Sequence, residues 1–329
     1  MKAKPKTDKT LQEAIVFFGN PDNALDYMAN RLWPNGVECP TCGRKDVVFL
    51  KTQRKWQCKS VHPKRQFSAK VGTIFEDSPI ALEKWLLAVW MLSNCRNGVS
   101  SYEIARTVGV TQKSAWFMLH RIRVAMQNGS LVKLGSNSGT VEVDETFIGG
   151  KARNMHKDVK ARRISGRQGN NAQDKVLVMG MVERGGHVRT EIIKDRFTST
   201  LRRNVNKHVN VGTILYSDEL QAYKGLKDEY AHSVVDHAER YVDGKVHTNG
   251  IENFWSLLKR GLHGTYVAVE PFHLFRYLDE QSFRFNNRKD ANNNKLSDEQ
   301  RFNLALSQVS GKRLTYAALT GKVGETTPF

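Results

Sequence analysis

VEVDETFIGG, residues 141–150, is the stretch on which the architecture turns. Val141, Val143, Phe147 and Ile148 give it the composition of a buried strand, yet Asp144 sits among them. A carboxylate in such a strand is costly unless something offsets its charge, and a bound divalent cation would do so. Side chains alternate along a strand, so Glu142 shares the face of Asp144 and Glu145 takes the opposite one; both are alternatives to Asp144 as a ligand. Working outward, KVLVMGMVER (175–184), HVRTEIIK (187–194), GTILYSD (212–218) and HSVVDH (232–237) read as further strands, bounded by Gly or charge. Asp218 closes one of them where a loop begins, and strand ends of parallel or mixed sheets are common ligand positions.

HTNGIENFWSLLKRGLHG, residues 247–264, reads as a helix. Ile251, Phe254, Trp255, Leu258 and Leu262 form one apolar stripe, with Glu252, Ser256 and Lys259 together on an adjacent polar face. Glu252 and Lys259 are seven residues apart, about two turns, and therefore align. Asn249 projects one turn before Glu252; Asn253 lies about a right angle away, which makes Glu252 the better ligand. A second helix is expected around 270–286. His247 reads either as structural or as a contact to a leaving strand, and His237 also precedes the helix. The Asn-rich segment 286–294 suits a polar surface or a phosphate.

Three carboxylates carried in this way suit phosphodiester chemistry. Breaking that bond requires an attacking oxygen to be activated and a leaving oxygen to be stabilised in line. Two Mg²⁺ (or Mn²⁺) ions do both, and carboxylates are the hard oxygen ligands they prefer. Asp144 is expected to bridge the ions, Asp218 to bind one and Glu252 the other. Lys259, with Arg260 beside it, would meet a DNA phosphate.

Upstream, residues 1–36 read as a helical lead-in, with Asn20-Pro21 opening a helix and Trp33-Pro34-Asn35-Gly36 ending it. Residues 37–77 hold CPTC at 39–42 and CKSVH at 58–62. Cys39, Cys42, Cys58 and His62 form two close pairs of soft or borderline ligands, as a closed structural Zn²⁺ site requires. The strands between are too small for a core of their own, so metal would supply much of the folding free energy. Arg54, Lys55, Lys59, Lys64 and Arg65 make the surface basic.

Residues 78–128 are expected to be helical, opening at Ser78-Pro79 with Leu82, Trp85, Leu86, Val89, Trp90 and Leu92 at helical spacing. SSYEIARTVGVTQKSAWFMLHRIRVAM (100–126) has the layout of a helix-turn-helix: a small Ala105, Gly109 in the turn, and Thr111 capping the second helix. Gln112, Lys113 and Ser114 at the start of that helix would touch DNA bases, with Arg121 and Arg123 as further DNA contacts; ordinary bundle packing is the competing reading. A Gly/Ser-rich linker (129–139) follows. The basic insertion 151–167 either grips DNA or is merely solvated. Residues 291–329 form a C-terminal tail with a helix capped by Ser297.

Composition agrees with a nucleic-acid partner. Of 329 residues, 51 are Lys or Arg and 33 Asp or Glu, for a net charge of +18. No long apolar run or signal-peptide pattern is present, and no basic amphipathic helix suggests a membrane, so a cytoplasmic, nucleoid-associated protein is expected.

These blocks together resemble the zinc-ribbon DDE transposases of bacterial insertion sequences, of the ISXO-like group. The resemblance runs from about residue 14 to 290: CPTCG, then RQFS with VGTIFEDS, VDETFIGG, LYSDELQAY, and HTNGIENFWSLLKRGLHG followed by FRYLDEQSFRFNNR. It implies an α+β chain in which a zinc ribbon and a helix-turn-helix precede an RNase H-like mixed sheet flanked by helices at 140–290. It also implies Mg²⁺-dependent cleavage of double-stranded DNA at terminal inverted repeats and strand transfer into target DNA. The Asp218-to-Glu252 separation of 34 and the Lys seven residues after the Glu agree with that superfamily. Where such ribbons often carry a second CxxC, this chain has Cys58 and His62. A homodimer or larger assembly on DNA is expected, because two element ends must be joined.

Overall fold

The structure is a computed structural model that describes residues 10–127, 132–136, 139–149, 175–218, 230–235, 247–290 and 292–321, with the backbone alone at 218 and 231–235. The insertion 151–167, residues 129–131 and 137–138 of the linker, and His237 lie outside the described residues. The chain divides into two compact units, residues 1–127 with 289–325, and residues 128–288 with 326–329.

In the first unit, Thr10 and Glu13 form a capping box that starts α1 (Leu11–Phe18), and Asn20 caps α2 (Pro21–Leu32), whose first-turn proline needs no amide partner. The ribbon is a three-stranded antiparallel sheet of β1 (Val47–Leu50), β2 (Lys55–Cys58) and β3 (Gln66–Phe67), in that order. Trp56 of β2 and Phe67 of β3 stack beside Trp33, which gives this small sheet an aromatic floor.

Helix α3 (Leu82–Asn94) begins four residues later than Ser78. Ser78 Oγ instead accepts the Ile80 amide and the Trp85 indole N–H, each at 3.2 Å, so it closes a turn rather than capping the helix. Helices α4 (Ser101–Val108) and α5 (Gln112–Met126) follow, joined at Gly109, which takes the left-handed conformation (φ +64°) that ends α4.

The C-terminal segment is not a separate tail. Ser297 and Gln300 form the expected capping box of α9 (Asp298–Ser307), and Phe302 of that helix is fully buried against Phe18, Tyr27 and Trp90. The sequence pattern could not show this docking, because the partners of Phe302 lie more than 200 residues earlier.

The second unit is built on a five-stranded sheet. Its strands are β4 (Thr140–Ile148), β5 (Val176–Glu183), β6 (Val188–Ile193), β7 (Ile214–Asp218) and β8 (Ala231–Val235), in the order β6-β5-β4-β7-β8. Strands β4, β5 and β6 pair antiparallel, whereas β4–β7 and β7–β8 are parallel. The alternation along β4 sends Val141, Val143 and Phe147 to a core shared with Met179, Met181, Leu215 and the helix α6 (Thr198–His208). The opposite face meets α7 (Asn249–Gly261) and α8 (Leu274–Asn286), through Val178, Val182, Ile251, Phe254, Trp255 and Leu278. Asn286 satisfies the outward backbone of edge strand β6: its side chain accepts the Val188 amide at 2.7 Å and donates to the Val188 carbonyl at 3.1 Å.

Candidate active site and metal centre

Strand β4 carries Glu142 and Asp144 on the face covered by α7. Asp144 is partly buried; its Oδ2 accepts the indole N–H of Trp255 at 2.9 Å and its Oδ1 accepts the Glu145 amide at 2.8 Å. Trp255 therefore fills the core, as its place in the apolar stripe predicts, and also orients a carboxylate. Gly180 makes room for it. This residue pairs with Asp144 across β4–β5, and a Cβ there would lie 2.5 Å from Trp255 Cζ2. A glycine inside the apolar run 176–182 was the available signal for such a close approach.

On the other side of β4, Val143 pairs with Ser217 in the parallel strand β7. One residue further along, Asp218 ends β7 beside the middle of β4, where Asp144 follows Val143. Helix α7, which carries Glu252, packs on the sheet face that bears Asp144. Glu252 is exposed and accepts a hydrogen bond from the Thr248 hydroxyl at 3.0 Å. Lys259 is half-buried and Arg260 exposed, two turns further along α7.

Of the alternatives to Asp144, Glu145 faces away from α7, 3.9 Å from Arg196 Nε. Glu142 has another task. It is almost fully buried; Oε2 accepts the Ile251 amide at 3.0 Å and Oε1 accepts Arg184 Nε at 2.9 Å. His247 Nδ1 lies 3.6 Å from the same Oε1, so this histidine belongs to the helix entry.

In the ribbon, one ligand atom from each of Cys39, Cys42, Cys58 and His62 falls within 4.8 Å of all the others, a group able to hold one metal ion. Cys39 Sγ is 3.4 Å from His62 Nε2 and Cys42 Sγ is 3.7 Å from Cys58 Sγ. His62 Nδ1 lies 2.6 Å from the Pro63 carbonyl; donating there fixes the tautomer that leaves Nε2 for a metal. Burial pushes the Cys58 thiol up, but hydrogen bonds from His62, Ser60 and Cys42 outweigh it and bring it down to about 6. The thiolate-rich set in a tight cluster fits zinc.

At the start of α5, Lys113 is exposed and sits 5.1 Å from the Tyr316 ring centroid. Gln112 donates to Ser101 Oγ at 2.8 Å and Ser114 accepts from the Thr111 hydroxyl at 2.8 Å, both partly buried. Arg121 and Arg123 correct the sequence reading. They are only 4% and 1% exposed, so neither offers a surface to a duplex. Arg121 donates to the Glu76 carbonyl and its guanidinium lies over Trp85 and Phe117. A long helical arginine with an apolar stem can turn inward when a carbonyl and aromatic faces receive its head, which spacing alone does not reveal. Among the described residues, no helix is long and apolar enough to cross a membrane.

Comparison with known proteins gives the family of both units. Residues 137–286, which span the strands and helix bearing Asp144, Asp218 and Glu252, match the ISXO2-like transposase domain. Residues 19–60 match the transposase zinc-ribbon domain, a span that ends two residues before His62. An uncharacterized protein in transposable element ISH50 of Halobacterium salinarum is 30% identical over 258 residues, 75% of this chain and 85% of that protein. The chain belongs to the ISXO2-like transposases and carries their zinc ribbon.

Proposed function

We propose that this transposase cuts and joins double-stranded DNA through a two-metal carboxylate site formed by Asp144, Asp218 and Glu252. One observation carries the reading: the parallel register of β4 and β7 sets Asp218, at the end of β7, next to the position of Asp144 in mid-β4, on the sheet face where the helix bearing Glu252 packs. The strand order, with three antiparallel strands followed by two parallel ones, supports an RNase H-like catalytic domain. The donor set fits Mg²⁺ or Mn²⁺, since all three side chains are hard oxygen ligands and Asp144 is already oriented by Trp255. Bound there, the ions supply activation of the attacking oxygen and stabilisation of the leaving one. The protein's own share is orientation: Trp255 fixes Asp144, Thr248 steadies Glu252, and Lys259 and Arg260 offer charge to DNA phosphates.

The helical pair α4–α5, joined at a left-handed glycine, supports a helix-turn-helix in which Lys113, flanked by Gln112 and Ser114, approaches terminal-repeat DNA. The ribbon would hold structural zinc through Cys39, Cys42, Cys58 and His62. Two element ends must be joined, so a homodimer or larger assembly forms on DNA. The test is Mg²⁺- or Mn²⁺-dependent nicking and strand transfer on DNA carrying the element's ends. Loss of both reactions in Asp144→Asn, with DNA binding kept, is expected; full activity in that variant would refute the assignment.

A further inference from the structure

Below the three proposed metal ligands lies a second layer of contacts that one residue ties together. On β4, Glu142 stands two residues before Asp144; on β7, Tyr216 stands two residues before Asp218; His247 stands five before Glu252. Arg184, just after the end of β5, touches all three. Its Nε donates to Glu142 Oε1 at 2.9 Å, its Nη2 donates to the His247 carbonyl at 2.7 Å, and its guanidinium lies 4.5 Å from the Tyr216 ring centroid. Glu142 in turn caps α7 from another strand through the Ile251 amide. Thr248, at the cap position, makes no side-chain bond to the helix backbone, its hydroxyl being turned to Glu252. Gly250 leaves space for this carboxylate, because a Cβ there would lie 2.7 Å from Glu142 Oε2.

We infer that Arg184, with Glu142 as its counter-ion, is a positioning residue that holds the three acid-bearing elements in register for metal binding. The inference rests on the carboxylate-site reading above. Its physical basis is geometric: a planar guanidinium can donate in two directions and stack on a ring at once, so it fixes β4, β7 and α7 relative to one another. A lysine ammonium keeps the charge but not the fork or the stack. Partners that orient metal ligands from behind typically change metal affinity by about 10–100-fold when lost.

The experiment uses the full-length, zinc-loaded protein. Mn²⁺ affinity is measured by calorimetry, and Tb³⁺ serves as a luminescent probe sensitised by Trp255 beside Asp144. Arg184→Lys keeps a cation next to buried Glu142 and is expected to retain the parent's circular dichroism while binding Mn²⁺ about 10–100-fold more weakly. Glu142→Gln is expected to behave alike. Should either fail to fold, Gly250→Ala supplies the same test: it favours helix by about 1 kcal/mol, yet its methyl group displaces Glu142. Parent-like Mn²⁺ affinity in folded Arg184→Lys or in Gly250→Ala overturns the inference. Asp144→Asn separates the two levels. A Tb³⁺ signal that survives it removes the carboxylate site itself, whereas a signal lost there but intact in the other variants removes the positioning role alone.

Discussion

Gly180→Ala tests how closely the helix bearing Glu252 must approach the strand bearing Asp144. Gly180 has no left-handed backbone angle, so alanine is conformationally acceptable. By backbone entropy alone the change should stabilise a strand by about 0.5–1 kcal/mol. The added methyl carbon, however, would lie 2.5 Å and 2.8 Å from Trp255 Cζ2 and Cη2, and 2.7 Å from Ile251 Cδ1. Carbon atoms rest about 3.5–4.0 Å apart, so the indole and helix α7 must retreat by roughly 1 Å. Such overpacking typically costs about 1–3 kcal/mol, which exceeds the entropic gain and leaves a net loss of about 0.5–2 kcal/mol. In a unit of this size that is a fall in melting temperature of about 1–8 °C. The same retreat strains the Trp255–Asp144 hydrogen bond, and a 1 Å misplacement near reacting groups can lower the rate about 100-fold. Thermal unfolding by circular dichroism and metal-dependent DNA nicking are the assays. A variant that melts at or above the parent temperature and nicks at the parent rate would refute the close-packing argument.

Phe302→Ala should destabilise the first unit by about 3–5 kcal/mol and leave the unit of the five-stranded sheet unchanged, because Phe302 fills the space among Phe18, Tyr27 and Trp90. Hydrogen exchange resolved by peptide reads this, and protection unchanged in helices α1–α3 would contradict it. Lys113→Ala should weaken DNA binding and reduce its salt slope by about one without lowering the melting temperature. Buried Arg121→Ala should do the reverse, losing stability with an unaltered salt slope. Stripping zinc with a chelator at pH 7 should free Trp33 and Trp56 from their ribbon contacts and shift fluorescence to the red, reversibly on adding Zn²⁺; unchanged emission would argue against a structural metal. In the second unit, the hydrogen bond from His208, joined by Lys207, outweighs burial and holds the Glu191 carboxyl at about 2. A carboxyl lowered on folding contributes stability that is complete above its unfolded value near 4.5 and is lost as pH falls toward 2. Glu191→Gln should therefore flatten the melting-temperature profile between those limits, and an unaltered acid limb would contradict this.

Much of the candidate site was legible in the residues themselves. Strand composition around Asp144 and before Asp218, and the apolar stripe beside Glu252, are local patterns of period 2 and 3.6. They need only neighbours along the chain. The Cys39–Cys42 and Cys58–His62 pairs were readable for the same reason, since a two- or three-residue gap by itself brings two ligands to one ion. What stayed hidden were contacts whose partners lie far away in sequence. Arg184 looked like one more charge after a strand, and Glu142 like a rival ligand. Arg121 carried the spacing of a DNA contact and turned out to be interior.

Local pattern thus determined which segments became strands and helices, and which acids and thiols could act as ligands, because backbone geometry and side-chain chemistry operate within a few residues. Tertiary structure alone decided that Trp255 orients Asp144, that Glu142 caps helix α7, and that the helix at 298–307 completes the N-terminal core. Those outcomes depend on burial and on hydrogen bonds between segments about 40 to 200 residues or more apart, where the cost of an unpaired buried group, rather than any repeating pattern, selects the partner.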